Sequence, residues 1–377
     1  MKKLCVVATI PAVVHAFLRG HIQAAAAKYD VTVVCNAADV HLLDGLSARI
    51  IFLPVERKPS PWRDLLTLLQ LLGLFRRERF DIVHTHMPKT GLLGMLAAWV
   101  ARVPVRIHTF HGEVWATRRG WQRLALKSLD RWVSRLATNV LAVSPSQLAF
   151  LIKEGALPGG KANVMGAGSV CGVDPLRFCP DADSRRIIRD SIGVGHDAKV
   201  ILFVGRLNRD KGMLDLATAF NGLAKDEQSA ALLLVGAEED VSFGQMQEIC
   251  VNAPGRVHYQ RFTSNPERYM AAADIFCLPS YREGLPMTVI EAAACGVPAV
   301  ASRVYGITDA VEEGKTGLLF NAGNVTELAQ ALKRLISDDE CRLQMGYAAR
   351  KRALELFPAE KITREMVSFY DRLSVKS

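Results

Sequence analysis

The sequence predicts an α/β protein with two domains, each built around a parallel β-sheet. Its 377 residues are too many for one ordinary core and suit two domains of roughly 150–200 residues. Half of the residues are hydrophobic and 23% are charged, which is typical of a globular protein. Short, continuous apolar runs alternate with longer helix-like segments in both halves. This alternation is typical of strands that are buried on both faces of a parallel sheet.

Six apolar runs predict strands in the first half: Leu4–Thr9, Val31–Cys35, Ile50–Leu53, Ile82–His84, Arg106–Phe110 and Asn139–Val143. Six more predict strands in the second half: Val200–Val204, Leu232–Val235, Val257–Phe262, Ile275–Leu278, Ala299–Ala301 and Gly317–Phe320. Ligands of such sheets bind beyond the carboxyl ends of the strands, so the loops that follow strands are the candidate sites.

The cysteines and the apolar runs restrict the class of protein further. Eight cysteines stand singly with no CxxC pair, which disfavours zinc and favours a reducing compartment. The N-terminal M-K-K-L-C-V-V-A-T-I-P has an apolar core of about seven residues, and His15 and Arg19 follow it, so we interpret it as a strand and not as a signal peptide. The sequence contains no run of 18 apolar residues, which is the length that would predict an ordinary membrane-spanning helix.

Positive charge is concentrated in the first half of the chain. Residues 1–180 contain 23 Lys and Arg against 11 Asp and Glu, a balance of +12, whereas the remainder has 24 against 27, a balance of −3. This asymmetry favours an anionic surface or substrate for the first half. The basic residues form neither a helical recognition stripe nor a groove interleaved with aromatics, so we expect no nucleic-acid partner.

A loop that leads into a helix is predicted at Ser280–Glu291, where the sequence is S-Y-R-E-G-L-P-M-T-V-I-E. The start of a helix presents free backbone N–H groups and a positive dipole end, which suits an anionic ligand. Gly284 permits close approach of the backbone, and Pro286 suits a helix start. Glu283 and Glu291 are acceptors for hydroxyl-rich groups such as ribose and hexose, although alone they would equally fit two surface acids.

A second segment, F-V-G-R-L-N-R-D-K-G, follows another predicted strand and contains Arg206 and Lys211. Together the two segments resemble the retaining nucleotide-sugar glycosyltransferases of family four, which have the GT-B fold of two Rossmann-like domains facing a central cleft. The resemblance implies that Arg206 and Lys211 bind the donor diphosphate, and that Glu283 and Glu291 bind the donor sugar and the ribose.

The same resemblance has implications for the metal dependence of the reaction, its cofactors and its site residues. It implies metal-independent transfer, because fixed cations would neutralise the leaving diphosphate. No cofactor is expected, and the nucleoside diphosphate sugar is a co-substrate. The expected catalytic residues are His111, Glu283, Arg206 and Lys211, and the expected donor-binding residues are Gly205, Arg206, Lys211, Gly284, Leu285 and Glu291.

Four histidines lie near the ends of two predicted strands of the first half. His108 falls inside a strand and is interpreted as a core residue. His84 and His86 fit either a cleft role or hydrogen bonds to neighbouring backbone. His111 stands just past a strand end in R-I-H-T-F-H-G-E, and the resemblance implies that it contacts the donor sugar. Without carboxylates or thiols at matched spacing, these histidines do not predict a metal site.

Three positions depart from the family pattern. The loop I-P-A-V-V-H-A-F after the first strand has no glycine until Gly20, which favours an apolar, acceptor-facing loop. Cys171 and Glu238 replace a usual Asn and Gly of the family. The formal DxD at Asp181–Asp183 follows Cys179-Pro180 in a polar stretch and is interpreted as structurally incidental.

Two helical segments of the first half combine apolar and basic side chains. Trp62–Phe80 is rich in leucine and ends with Arg76, Arg77 and Arg79. A second helix-like stretch contains Trp121 and Trp132 among six basic residues. They fit either domain packing with a solvated charged face or an interfacial surface at an anionic membrane.

The sequence therefore predicts an acceptor-binding domain at 1–178, a linker at 179–198, a nucleotide-sugar domain at 199–358 and a crossover helix at 359–377. The resemblance implies hexosyl transfer from a nucleoside diphosphate sugar, expected to be a UDP-sugar, to a polyprenyl-diphosphate-linked saccharide in bacterial surface polysaccharide synthesis. The expected place is the inner, anionic face of the cytoplasmic membrane. A sugar-nucleotide epimerase and a non-catalytic nucleotide-sugar-binding protein remain alternatives.

Overall fold

The computed structural model describes residues 1–56, 60–157, 160–195 and 197–375. The contacts between residues divide the chain into two compact units. The first unit comprises Met1–Gly172 together with Ala359–Ser377, and the second comprises Val173–Pro358. The chain therefore leaves the first unit once and returns to it for its last helix.

The sheet of the first unit has seven parallel strands: β1 Lys2–Val7, β2 Tyr29–Cys35, β3 Arg49–Phe52, β4 Ile82–His86, β5 Val105–Phe110, β6 Asn139–Ala142 and β7 Ala162–Val164. Their order is β3-β2-β1-β4-β5-β6-β7. Six correspond to the predicted apolar runs. The seventh, β7, is not predicted, because three residues with a central Asn do not form a recognisable apolar run.

Helices cover both faces of this sheet: α1 Pro11–Val13, α2 Arg19–Ala26, α3 Pro61–Glu78, α4 Pro88–Val100, α5 Gly120–Leu136, α6 Pro145–Lys153 and the last helix, α15 Ala359–Val375. A π-helical turn joins α1 to α2 at Val14–Leu18, and 3-10 turns lie at Val40–Leu43 and Val114–Thr117. One apolar core lies between the sheet and α2 with α15, and the other lies between the sheet and α3–α6.

Strand β1 shows how the sequence produces these two cores. Leu4 and Val6 belong to the core under α2 and α15, whereas Cys5 and Val7 belong to the core under α3–α6. Successive side chains of a strand point to opposite faces, so a continuous apolar run supplies both cores. Each fully buried Val or Leu contributes about 1.5–3 kcal/mol relative to exposure.

The second unit has six parallel strands: β8 Lys199–Val204, β9 Ala230–Val235, β10 Val257–Gln260, β11 Ile275–Leu278, β12 Ala299–Ser302 and β13 Gly317–Phe320. Their order is β10-β9-β8-β11-β12-β13, and all six were predicted. The helices are α7 Ala182–Ser191, α8 Met213–Leu223, α9 Phe243–Ile249, α10 Pro266–Ala272, α11 Met287–Ala294, α12 Ile307–Ala310, α13 Val325–Ser337 and α14 Asp339–Leu356. A 3-10 turn occupies Arg209–Lys211.

The stretch 179–198, predicted as a linker, lies within the second unit and contains α7. Its residue 196 is outside the described residues. The Arg189 side chain is buried, and its Nη2 atom is 2.5 Å from Oδ2 of Asp274. The sequence does not predict this helix because its attachment depends on a buried arginine instead of an apolar stripe. Asp181 caps α7 by accepting from the amides of Asp183 and Ser184, which gives the formal DxD a structural use.

Helix α15 belongs to the first unit. The Asp371 carboxylate accepts hydrogen bonds from Lys28 Nζ at 2.7 Å and Tyr29 Oη at 2.8 Å. Ile362, Met366 and Tyr370 are buried along the same helix. Residues 376 and 377 of the predicted crossover helix are outside the described residues.

Candidate functional site

The sheet of the second unit reverses its strand order between β8 and β11. From β8 the chain proceeds to β9 and β10 on one side, and from β11 to β12 and β13 on the other. In open parallel sheets, ligands bind beyond the carboxyl ends of strands at such a reversal. Arg206 and Lys211 follow β8, and Glu283 follows β11. The fold therefore places three sequence-predicted residues in the two loops that border the reversal.

Lys211 and Glu283 form an ion pair between these loops. Lys211 Nζ is 2.5 Å from Glu283 Oε1, and Ser280 Oγ donates to the same carboxylate oxygen at 2.7 Å. The side chains retain only 24% and 11% of their exposure, respectively. The pair is thus largely withdrawn from water, where an ionic interaction is stronger than on an open surface.

The turn that contains Lys211 is shaped by its neighbours in sequence. The Asn208 side chain accepts a hydrogen bond from the Lys211 amide at 2.9 Å, and Gly212 has a left-handed φ of 69°. A Cβ atom at Gly212 would lie 2.1 Å from the carbonyl oxygen of Pro279. A side chain there would separate the two loops, so the K-G sequence is required for the contact between Lys211 and Glu283.

Arg206 has a carboxylate partner that the sequence analysis missed. Its guanidinium forms an ion pair with Glu239, which also accepts from Asn208 Nδ2 at 2.6 Å. Both members of the ion pair are roughly half exposed. Glu239 is the last residue of the acidic sequence V-G-A-E-E after β9, and that sequence could have indicated it. The sequence analysis considered only Glu238 of this segment. Both predicted diphosphate-binding cations are therefore paired with glutamates.

The predicted glycines and Leu285 lie where backbones approach closely. A Cβ at Gly236 would be 1.9 Å from the carbonyl oxygen of Gly205, and a Cβ at Gly306 would be 2.2 Å from that of Gly284. The Leu285 side chain is buried. Among the described residues, none accepts a hydrogen bond from the Leu285 amide. This amide precedes α11, so it is available to a ligand at the helix start.

Glu291 lies on α11 and differs from Glu283 in its surroundings. Burial raises the pKa of its carboxyl to about 7, while Arg177 acts in the opposite direction. No hydrogen bond to its side chain comes from the described part of the chain. Arg177 is itself paired with Glu267 at 3.0 Å. Glu291 is itself half-buried, so its carboxyl can accept a hydrogen bond from a ligand or from water.

In the first unit, His111 follows β5 and contacts a histidine of the neighbouring strand. Its Nε2 atom is 3.0 Å from Nδ1 of His86. His84 bonds to side chains instead of the backbone partners considered from sequence, with Tyr370 Oη and Thr109 Oγ1 both at 2.7 Å. His108 is a buried core residue, as predicted, with Nδ1 2.8 Å from Thr85 Oγ1.

Burial keeps these histidines uncharged at neutral pH. It lowers the pKa of His111 to about 4 and that of His108 to about 3. The pKa values of His84 and His86 are lowered well below the usual range, first by burial and then by their histidine neighbours. In the described ranges no three His, Cys, Asp or Glu side chains are arranged to hold a metal ion. A neutral imidazole can both donate and accept hydrogen bonds, which suits a sugar hydroxyl.

Helices α3 and α5 expose apolar side chains at helical spacing. The exposed set, here called the apolar stripes, consists of Trp62, Leu65, Leu66 and Leu69 on α3, and Trp121, Leu124, Leu129 and Trp132 on α5. Trp62 is 80% exposed and Trp121 is 75% exposed. Leu71, Leu74 and Phe75 face the core instead. One face of the helix α3 therefore packs in the domain core, and the opposite face exposes apolar side chains.

Basic residues accompany these stripes, and several of them have acidic partners. Arg76, Arg77 and Arg79 are exposed at the end of α3, and Arg77 pairs with Glu78 at 3.3 Å. Arg123 and Lys127 of α5 pair with Glu154 and lie over the Trp115 ring. No described helix combines the length and hydropathy that crossing a bilayer would require.

Comparisons with known proteins agree with this architecture. Residues 184–352 match a family model described as glycosyl transferases group 1, and residues 18–168 match one described as a glycosyl transferase 4-like domain. Sucrose-phosphate synthase from Thermosynechococcus elongatus superposes with a TM-score of 0.83 at 24% identity, covering 100% of both chains. Two parallel-sheet units with a strand-order reversal in each define the class as a GT-B glycosyltransferase fold.

Curated relatives extend the match over most of the chain. The capsular polysaccharide biosynthesis glycosyltransferase CapM of Staphylococcus aureus is 29% identical, over 94% of this chain and 93% of its own. The UDP-Gal:α-D-GlcNAc-diphosphoundecaprenol α-1,3-galactosyltransferase of Escherichia coli is 27% identical, over 91% and 89%. The D-inositol 3-phosphate glycosyltransferase of Corynebacterium jeikeium is 35% identical, over 73% and 69%. The chain belongs to the glycosyl transferases group 1 family.

Proposed function

We propose that the protein transfers a hexosyl group, with retention, from a UDP-sugar to a polyprenyl-diphosphate-linked saccharide in bacterial surface polysaccharide synthesis. Retention follows from the resemblance to the retaining family. The donor and acceptor classes are supported by the E. coli relative, whose name specifies UDP-Gal and a diphosphoundecaprenol acceptor. The polysaccharide product is supported by the S. aureus relative.

The observation that carries the proposal is the set of two cation–glutamate pairs beside the strand-order reversal. Arg206 pairs with Glu239, and Lys211 pairs with Glu283. A donor diphosphate would supply anionic oxygens in place of these carboxylates, so it could bind both cations. Arg206 would bind the phosphates bidentately, and Lys211 would act as a point charge.

We assign the charge stabilisation of transfer to these same cations. As the bond between sugar and diphosphate breaks, negative charge develops on the phosphate oxygen. Cations that are already fixed stabilise this charge without reorganisation, so the reaction as proposed needs no metal. When the diphosphate takes over Lys211, Glu283 is released as an acceptor for a hydroxyl of the transferred sugar.

The remaining contacts of the donor are assigned by chemistry and resemblance. Glu291 has a carboxyl without a partner among the described residues and would accept from the ribose hydroxyls. Those new donors would favour its ionised form and lower its pKa from about 7. The Leu285 amide would donate to a phosphate oxygen. His111, neutral at physiological pH, would contact the donor sugar.

The acceptor is proposed to be reached at an anionic membrane surface. The apolar stripes of α3 and α5 would enter the headgroup boundary, and Arg76, Arg77 and Arg79 would meet lipid phosphates. Each basic residue near an anionic surface contributes about 1 kcal/mol, so three arginines and the stripes would give reversible binding. We therefore propose that the enzyme works as a peripheral protein at the cytoplasmic face of the membrane.

The function is tested by incubating the full chain with radiolabelled UDP-sugars and a polyprenyl-diphosphate lipid extract. Label appearing in the lipid phase supports transfer, and the anomeric configuration of the product tests retention. Release of an altered free sugar would indicate an epimerase, and binding without turnover would indicate a nucleotide-sugar-binding protein. Activity that EDTA abolishes and Mg²⁺ or Mn²⁺ restores would refute the metal-independent mechanism.

A further inference from the structure

Three histidines of the first unit form a row along one face of its sheet. His84 and His86 are two residues apart on β4, so their side chains share a face. His86 is in register with Thr109 of β5, and His111 follows two residues later. The ring centroids are 4.2 Å apart for His84 and His86, and 5.2 Å apart for His86 and His111.

The buried end of this histidine row is fixed by two hydrogen bonds. Both ring nitrogens of His84 are engaged, Nδ1 by Tyr370 of α15 and Nε2 by Thr109 of β5. Tyr370 and His84 are both buried. A ring bonded at both nitrogens does not rotate, so it provides a fixed surface for the His86 ring that packs beside it.

The other end of the row is half-buried and ends at His111. Its Nε2 atom is engaged by Nδ1 of His86. Both rings are neutral, because burial lowers both pKa values. In such a pair one nitrogen donates and the other accepts, so the tautomer of His86 sets the tautomer of His111. No described residue bonds to Nδ1 of His111, so this nitrogen is left for a ligand.

We propose that His86 is a positioning residue for His111, which holds Nε2 of His111 and thereby presents its Nδ1 in one tautomer to a hydroxyl group of the donor sugar. This inference rests on the proposed function, in which His111 contacts that sugar. Because His86 itself is buried, it acts through His111 and does not touch the substrate.

Two amide substitutions provide a matched test. The amide of His86→Asn reaches the position of Nδ1, whereas that of His86→Gln reaches the position of Nε2, so only the first can bond to His111. Side-chain ¹H–¹⁵N correlation spectra of the labelled full chain at pH 7 report the tautomer, and the His111 signals are identified by their absence from His111→Ala. We expect one His111 tautomer in the wild type and in His86→Asn, and a mixture in His86→Gln.

Kinetics with the UDP-sugar provide the second readout. We expect His86→Gln to lower kcat about tenfold, on the scale of one oriented hydrogen bond, with a donor KM within about twofold of the wild-type value. His86→Asn should keep most of the wild-type kcat. His108→Asn is the control, since it shortens a buried histidine on the opposite face and should leave the His111 signals unchanged.

His86→Phe, which keeps a buried ring but has no nitrogen, should behave like His86→Gln in both readouts. An unchanged single tautomer in His86→Gln or His86→Phe would overturn the proposal, as would equal kcat values for the two amide variants. Full activity of His111→Ala would instead refute the donor-sugar contact in the proposed function. The tautomer spectra would still decide whether His86 orients His111.

Discussion

Replacing Lys211 by Met separates the catalytic and structural roles of the Lys211–Glu283 pair. The substitution removes the ammonium group 2.5 Å from the Glu283 carboxylate and leaves the Ser280 hydroxyl as its remaining donor among the contacts described above. Loss of one cation that stabilises developing charge predicts a decrease of kcat/KM by about a hundredfold or more. Arg206→Ala should give a decrease of the same order.

The same substitution should also lower the free energy of unfolding. Glu283 has 11% of its side chain exposed and would keep its charge with one donor fewer. An under-bonded carboxylate costs about 1–3 kcal/mol, less than a fully buried pair because the lysine is a quarter exposed. The double variant Lys211→Met/Glu283→Gln removes that charge and should recover to within about 1 kcal/mol of the wild type while remaining inactive.

The assays are urea unfolding and transfer from a radiolabelled UDP-sugar, each on the full chain. Lys315→Met is the control, because Lys315 forms an exposed pair with Glu312 at 3.0 Å and should change neither quantity. A kcat/KM of Lys211→Met near the wild-type value would refute the diphosphate assignment. A double variant no more stable than the single one would refute the structural account of the pair.

Three further outcomes are expected. Glu239→Gln should lower the donor KM by about two- to fivefold. The half-exposed ion pair between Arg206 and Glu239 stabilises the donor-free protein by about 0.2–1 kcal/mol, and without it Glu239 no longer competes with the donor for Arg206. An increased KM would contradict this. Because the folded pKa values of His108 and His111 are about 3 and 4, the unfolded chain binds more protons below pH 6.5. The free energy of unfolding should therefore fall as the pH falls, by roughly 2 kcal/mol per histidine at pH 5, and a flat urea-midpoint profile from pH 7 to 5 would contradict it. In liposome flotation, the wild type should rise with anionic vesicles and detach in high salt. The variants Arg76→Ser/Arg77→Ser/Arg79→Ser and Trp121→Ser/Trp132→Ser should stay behind, whereas the control Leu343→Ser/Tyr347→Ser, which changes exposed residues of the second unit, should float. Equal recovery of the wild type with neutral vesicles would exclude binding to an anionic surface.

The sequence by itself determined the fold class and, among the residues that the structure describes, twelve of the thirteen strands. Buried parallel strands require continuous apolar runs, and those runs are visible without knowledge of their neighbours. The short β7 and the helix α7 were not predicted, because each depends on partners distant in sequence. The buried side chain of Arg189 in α7, for example, pairs with Asp274, which lies 85 positions further along the chain.

The sequence also identified Arg206, Lys211, Glu283 and Glu291 as the candidate donor site, through loop chemistry and a family resemblance. Only the tertiary structure decided their partners. It paired Lys211 with Glu283 and Arg206 with Glu239, it left the Glu291 carboxyl without a described partner, and it connected His111 through His86 to the row that ends at Tyr370. These pairings join residues 25 to 286 positions apart, and no local pattern encodes such distances, because they arise only when strands, loops and helices pack together in the folded chain.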